Sequence, residues 1–120
     1  MTPKRFRRFL ERDGGCLHCG EYDAVSPHHR ANRGMGGSKQ RDVASNIVVI
    51  CSAYNSAMES SGPAADKGRE FGWKLRPWED PAQTPVYYAT LGAWFLLDDD
   101  YNKEQQRGNN GQQNNDRRTF

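Results

Sequence analysis

The sequence has no long apolar run and little cysteine. None of its 120 residues belongs to an apolar stretch as long as a membrane span, and the charged, amphipathic N-terminus lacks the apolar core of a secretory signal peptide. The three cysteines are an odd number, which argues against a closed disulfide framework. These absences predict a cytoplasmic protein without a membrane partner.

Apolar side chains are also scarce, at 35% of the chain against 27% charged residues. Five Phe, five Tyr and three Trp compensate, because aromatic rings bury a large area in few positions. Residues 102–120 are rich in Asn, Gln and Gly without periodicity, so we expect them to be disordered. We therefore predict one small folded domain over residues 1–101.

Positive charge is concentrated near the N-terminus, although the net charge is only +2. Residues 1–42 carry nine Lys or Arg against five Asp or Glu, whereas residues 43–120 carry eight against ten. A basic face suits a polyanionic partner such as nucleic acid, but an ordinary solvated surface gives the same count.

The order of helix and strand signals predicts an α+β fold. A helix over residues 4–13 is signalled by Thr2-Pro3 before it, by Gly14-Gly15 after it and by apolar residues at helical spacing within it. The remaining predicted elements, in order, are a short strand at 26–30, a basic glycine-rich loop at 33–39, a buried strand at 47–50, helices at 53–60 and 63–71, and two pairing strands at 71–75 and 92–97 that bring Trp73 and Trp94 into the core.

Two adjacent histidines, His28 and His29, are candidate catalytic and metal-binding residues. Neighbouring side chains on a strand point to opposite faces, so one imidazole can hold a metal while the other faces water. Phosphodiester hydrolysis needs such a base and such a cation. Without the surrounding residues, the same pair would be read as surface or capping histidines.

Several spaced elements together resemble the HNH endonuclease family, and small phage-encoded HNH proteins in particular. The likeness covers roughly residues 14–75. Its elements, in order, are Cys16-x-x-Cys19, His28-His29-Arg30, the Arg-Gly-Met-Gly-Gly-Ser loop, Asn46 before an apolar strand, Cys51 and Glu59-Ser60.

The resemblance implies a small ββα-metal core with flanking helices and short C-terminal strands, and a DNA partner. It makes His28 a metal ligand and His29 the general base, which Asn46 orients by hydrogen bonding across the loop. Asn55 stands where the family usually has a second metal-binding histidine. The HNH domains of RNA-guided CRISPR nucleases and the phage recombination endonucleases resemble this arrangement in using asparagine there, which favours an active His-Asn-Asn site. As an alternative, Asn55 is an ordinary helix N-cap.

The ligand types suggest which metal would bind. An imidazole and an amide oxygen supply no negative charge, so we expect weak metal binding in the absence of DNA phosphate, with Glu59 as a tentative further ligand four residues beyond Asn55. Oxygen ligands favour Mg²⁺ or Mn²⁺, while His28 keeps Ni²⁺ or Zn²⁺ possible.

A separate structural zinc is implied at Cys16, Cys19 and Cys51. The family commonly supplies a fourth cysteine, but here that position is Tyr54. We expect His18 to point away from the cysteines in so tight a turn. Without zinc, Tyr54 would pack over the cysteines as an apolar plug.

Basic residues beside the motif are candidate phosphate contacts, with a solvated surface as the alternative. They are Arg30, Arg33, Lys39 and Arg41.

Three functions therefore stay open. The first is a metal-dependent DNA endonuclease, acting in the host cytoplasm if a phage encodes it, as a monomer or weak dimer. The second is a catalytically degenerate HNH fold that binds DNA or a phage or host protein. The third is a bare zinc-knuckle binding module.

Overall fold

In a computed structural model, which describes residues 1–32 and 41–106, a helix opens the chain where the sequence predicts one. This helix, α1 (Pro3–Asp13), begins after Thr2, whose hydroxyl accepts a hydrogen bond from the Arg5 backbone N–H at 3.1 Å. It ends at Gly14, where φ is 72°. A capping hydroxyl and a left-handed glycine are the expected start and stop of a helix.

A two-stranded antiparallel hairpin follows, formed by β1 (Val25–His29) and β2 (Ile47–Cys51). His28 lies opposite Val48 and His29 opposite Ile47. A short 3-10 turn at Ala44–Asn46 leads the chain into β2. The hairpin therefore places both histidines at the end of β1, beside the start of β2.

β2 is buried on both of its faces, as its apolar run predicts. Ile47 and Val49 pack with Phe9 of α1 in one cluster, whereas Val48 and Ile50 belong to the larger second cluster. Alternate residues of a strand point to opposite sides. One strand thereby ties the N-terminal helix to the main core.

Two short helices follow β2 directly. They are α2 (Ser52–Glu59) and α3 (Pro63–Glu70), which pack against each other. Gly68 allows this close approach, because a Cβ at that position would lie 2.7 Å from the sulfur of Met58. The order strand, loop, strand, helix is the order that the sequence predicts.

The predicted pairing of residues 71–75 with 92–97 is wrong. Residues 71–74 form a turn after α3, in which the backbone N–H groups of Trp73 and Lys74 both donate to the Gly68 carbonyl, and Leu75 forms an isolated parallel bridge with Ala31. The strand at the second position, β4 (Ala93–Leu97), pairs instead with β3 (Val86–Tyr88) on one side and β5 (Lys103–Gln105) on the other. Trp73 is fully buried as predicted, while Trp94 is half-buried.

β5 lies beyond the boundary predicted at residue 101. The turn before it is held by Asp98, whose carboxylate accepts from the backbone N–H groups of Asp100 and Asn102. The part of the predicted tail from residue 107 onward lies outside the described residues. Within the described ranges the fold is α+β, with three helices and two small antiparallel sheets, and none of those helices is long and apolar enough to cross a membrane.

Candidate active site and candidate metal centre

His28 and Asn55 meet where the hairpin packs against α2. His28 Nδ1 and Asn55 Oδ1 are 2.9 Å apart. The other ring nitrogen of His28, Nε2, is 2.7 Å from the Trp73 carbonyl oxygen. Asn55 lies in the first turn of α2 and donates from Nδ2 to the Ser26 hydroxyl at 3.0 Å, which turns its amide oxygen towards His28.

The protonation of His28 follows from these partners. Burial lowers the pKa of His28 below 6.5, so the ring is neutral at pH 7 and carries one proton. A backbone carbonyl can only accept, so that proton lies on Nε2 and is donated to Trp73. Nδ1 is left with a lone pair that faces a second lone-pair atom, Asn55 Oδ1.

Two facing acceptors form a suitable pair of ligands for a cation. A six-coordinate ion with bonds of about 2.1 Å places neighbouring ligand atoms roughly 3.0 Å apart. The 2.9 Å separation of His28 Nδ1 and Asn55 Oδ1 matches that spacing. In their separation, the two atoms therefore match neighbouring ligands of a divalent metal.

His29 points to the other side of β1 and pairs with a carboxylate. Its Nε2 lies 3.0 Å from Asp42 Oδ1, and Asp42 also receives Arg5 Nη1 at 3.3 Å. The hydrogen bond from His29 is the main cause that lowers the pKa of Asp42. Because the carboxylate accepts, Nε2 of His29 carries a proton. In the neutral imidazole, Nδ1 is then the nitrogen that can act as a base.

A cleft of about 410 Å³ opens beside these residues. His28, His29, Asn55 and Glu59 line one part of it, and Glu59 is exposed at the last turn of α2. The other lining residues are mainly basic or apolar: Pro27, Arg30, Asn32, Arg69, Lys74, Leu75, Arg76 and Pro77. Glu59 is the one carboxylate among these lining residues, and the cationic side chains of Arg69, Lys74 and Arg76 stand against it, so the cleft is suited to an anionic ligand.

Asn46 acts on the loop rather than on His29. Its Oδ1 accepts from the Ala31 backbone N–H at 2.8 Å, and its Nδ2 donates to the carbonyls of Ala31 and Arg41 at 3.0 and 2.7 Å. The side chain is completely buried. Asn46 therefore bridges the two ends of the loop between the strands. The expected hydrogen bond that orients His29 directly is not formed, and Asn46 instead holds the backbone at Ala31, two residues after His29.

Arg30 was predicted to contact phosphate, and the structure contradicts this. Its side chain is 1% exposed and donates to five backbone carbonyls, those of Ser45, Gly72, Pro81, Thr84 and Pro85. Burial lowers its pKa from 12.5 to about 9, which still leaves the guanidinium charged at pH 7. Arg30 is a structural residue that joins the hairpin to residues 72–85.

The other predicted phosphate contacts have different positions. Arg41 is half-buried and donates to the Pro77 carbonyl at the edge of the cleft. Arg33 and Lys39 lie outside the described residues. Arg69 and Arg76 are exposed cleft residues that no sequence signal marks, because they are remote in sequence from the histidine motif and belong to no pattern of their own.

A second site is formed by Cys16, His18, Cys19 and Cys51. One possible ligand atom from each of the four residues lies within 4.8 Å of all the others, so this group could bind a metal ion. Burial raises the pKa of Cys16 to about 11, while Cys19 is exposed and leaves the group open to solvent.

The expected orientation of His18 is wrong. A turn closed by the Gly20 N–H donating to the Cys16 carbonyl, with φ of 81° at Gly20, carries the imidazole back over the thiols. The ring stacks on Tyr54, with centroids 3.9 Å apart and planes inclined by 11°. Tyr54 therefore reaches the group through His18, on which its ring stacks.

Comparison of the chain with protein-family models, curated protein sequences and solved structures finds no match in any of the three.

Proposed function

We propose that the chain is a metal-dependent DNA endonuclease of the HNH type. The observation that carries the proposal is the pairing of His28 Nδ1 with Asn55 Oδ1 at 2.9 Å, on the wall of a cleft that also contains His29. The order β1, loop, β2, α2 supports it, because the resemblance to HNH proteins implies a ββα-metal core with these residues in these elements. The coarse α+β architecture is compatible with that core.

DNA is the ligand that fits the charge of the cleft. Arg69 and Arg76 are exposed, and Lys74 lies beside them, although its ammonium group also donates to the Met58 carbonyl at 2.9 Å. A phosphodiester backbone binds to such groups with an affinity that falls as salt rises. These contacts fix the position of a strand without reading its bases.

The chain's own residues supply the base and the metal ligands. His29 Nδ1 takes a proton from water while Asp42 holds the opposite ring nitrogen, and such help contributes about 10²- to 10⁴-fold to a rate. His28 and Asn55 would hold the metal, with Glu59 as the carboxylate of the cleft. A divalent cation held there supplies positive charge to the phosphate and the leaving oxygen. The oxygen ligands favour Mg²⁺ or Mn²⁺.

The test is nicking of supercoiled plasmid after brief chelation, which leaves slowly exchanging zinc bound, with Mg²⁺, Mn²⁺, Ni²⁺ or Zn²⁺ added back singly. We expect metal-dependent nicking by the wild type and its near-complete loss in His29→Ala, which should keep its circular dichroism spectrum and its affinity for a short duplex. One site cuts one strand, so relaxed circles should appear before linear DNA. Cutting by His29→Ala at the wild-type rate would refute the assignment of the base.

Two substitutions at one position test the metal site. Asn55→His restores the residue typical of the family and should keep nicking, with a shift towards Ni²⁺ or Zn²⁺. Asn55→Leu has a similarly branched side chain without a ligand atom and should lose nicking. If no metal supports nicking by the wild type, the chain is a catalytically degenerate HNH fold that binds DNA or protein. The presence of Asn55 in place of the family's usual last histidine would then explain the lack of activity.

We further propose that Cys16, Cys19 and Cys51 bind structural zinc. Three thiols in one group, with Cys16 buried, are the soft ligands that zinc prefers. Zinc here would join the loop before β1 to the junction of β2 and α2. Zinc that copurifies with the protein and exchanges slowly with a chelator would support this assignment.

A further inference from the structure

The group of three cysteines includes a histidine nitrogen that has no hydrogen-bond partner. His18 Nδ1 is buried, and it is the one buried side-chain nitrogen or oxygen without a partner in the part of the chain that the structure describes. Leaving a buried polar atom unpaired costs about 1–3 kcal/mol. In a group that already holds three thiols, a metal ion is the ligand that would satisfy this atom.

The separations within the group fit a four-ligand site. Zinc bonds of about 2.0–2.3 Å at tetrahedral angles place neighbouring ligand atoms roughly 3.6–3.8 Å apart. One ring nitrogen of His18 and the three sulfurs lie within 4.8 Å of one another, so small side-chain rotations would bring four ligand atoms onto a common ion. The His18 backbone N–H also donates to Cys16 Sγ at 3.3 Å, and the Tyr54 N–H to Cys51 Sγ at 3.4 Å. Such donors stabilise charged thiolates.

We propose that His18 is the fourth ligand, through Nδ1, of a tetrahedral zinc site whose other ligands are Cys16, Cys19 and Cys51. This inference rests on the proposed zinc at the three cysteines and is independent of the nuclease activity. Structural zinc sites are closed by four protein ligands, and this assignment closes the site without the family's fourth cysteine. Tyr54, which occupies that cysteine's place, stacks on the ligand instead of binding the ion.

The charges around the group agree with this composition. Zinc with three thiolates and a neutral imidazole has a net charge of about −1. Lys67 on α3 is close enough to act electrostatically on His18. A nearby ammonium group offsets the surplus negative charge of the site.

Zinc X-ray absorption of the wild-type protein tests the proposal directly. We expect one zinc per chain, a first shell of three sulfurs and one nitrogen, and the outer-shell signal of an imidazole. Sulfur ligation without that signal would overturn the role of His18 and leave the cysteine assignment intact. Absence of zinc from protein prepared under reducing, zinc-supplemented conditions would overturn both, and neither result measures nicking.

A pair of substitutions separates ligation from stacking. His18→Cys keeps a ligand and removes the ring, so it should retain zinc; His18→Phe keeps a ring for Tyr54 and removes the ligand. Since loss of an outer-shell partner already weakens metal binding about 10- to 100-fold, His18→Phe should weaken it by about 100-fold or more. Chelator competition is the measurement. If His18→Phe holds zinc as tightly as the wild type, stacking is the function of the ring and the proposal is wrong.

Discussion

Replacement of Arg30 by lysine should destabilise the fold and leave the DNA-binding surface intact. Four of the five hydrogen bonds from Arg30 are between 2.7 and 2.9 Å long. Lysine has three donors on a single nitrogen and cannot span carbonyls that approach from residues 45, 72 and 81–85. Hydrogen bonds from a charged group contribute about 1.5–3 kcal/mol each, so losing two of them costs at least about 3 kcal/mol.

Urea unfolding followed by tryptophan fluorescence measures this loss, because Trp73 is fully buried and reports on the same core. Arg76→Lys is the matched control: Arg76 is exposed in the cleft, and surface substitutions typically change stability by about 0.5 kcal/mol or less. The affinity of folded Arg30→Lys for a short duplex should equal that of the wild type. An unchanged urea midpoint with a loss of DNA affinity would mean that Arg30 contacts phosphate after all.

Three further predictions concern the site and its surroundings. Asp42→Ala should slow nicking about tenfold or more, since His29 loses the partner that fixes its tautomer. Duplex affinity in anisotropy measurements should stay the same. Unchanged nicking would show that the His29–Asp42 pair does not contribute to catalysis. Asn46→Ala removes three buried hydrogen bonds and should lower the free energy of unfolding in urea by about 2–4 kcal/mol; a change below about 0.5 kcal/mol would refute the loop-bridging role. Burial is the main cause that lowers the pKa values of His28 and His18 in the folded state, so the unfolded chain binds more protons and stability is lost as pH falls from about 6.5 towards the folded values. Urea titrations of chelated protein at pH 7 and 5 should show this loss, smaller in His28→Gln; equal stabilities at the two pH values would contradict it.

Local pattern was sufficient to predict the elements that carry the site. The helical spacing of Phe6, Phe9 and Leu10 predicts α1, and the apolar run of β2 predicts a strand buried on both faces. β3 was missed because it has only three residues and follows Pro85 directly. A strand that short has no detectable periodicity, and its pairing with β4 depends on contacts that a local window does not include.

The roles of individual polar residues were harder to predict, because they depend on partners that are distant in sequence. Arg30 stands next to His29 and so resembles a phosphate contact, yet its acceptors lie 15 to 55 residues further along the chain. Asp42 lies 13 residues from His29 and belongs to no motif. His18 was misplaced because spacing alone does not determine how a turn with a left-handed glycine orients the side chain within it.

The two proposed metal sites are connected through one helix, α2. The proposed zinc site at the cysteines can therefore affect the geometry of the proposed active site. Cys51 caps the N-terminus of α2 by accepting from the Tyr54 N–H, and Asn55 follows one turn later on the same helix. A zinc bond to Cys51 would therefore fix the position from which α2 presents Asn55 to His28. A displacement of about 1 Å is enough to cost a large part of a catalytic rate. On these proposals, loss of the zinc should impair nicking even when Mg²⁺ is abundant.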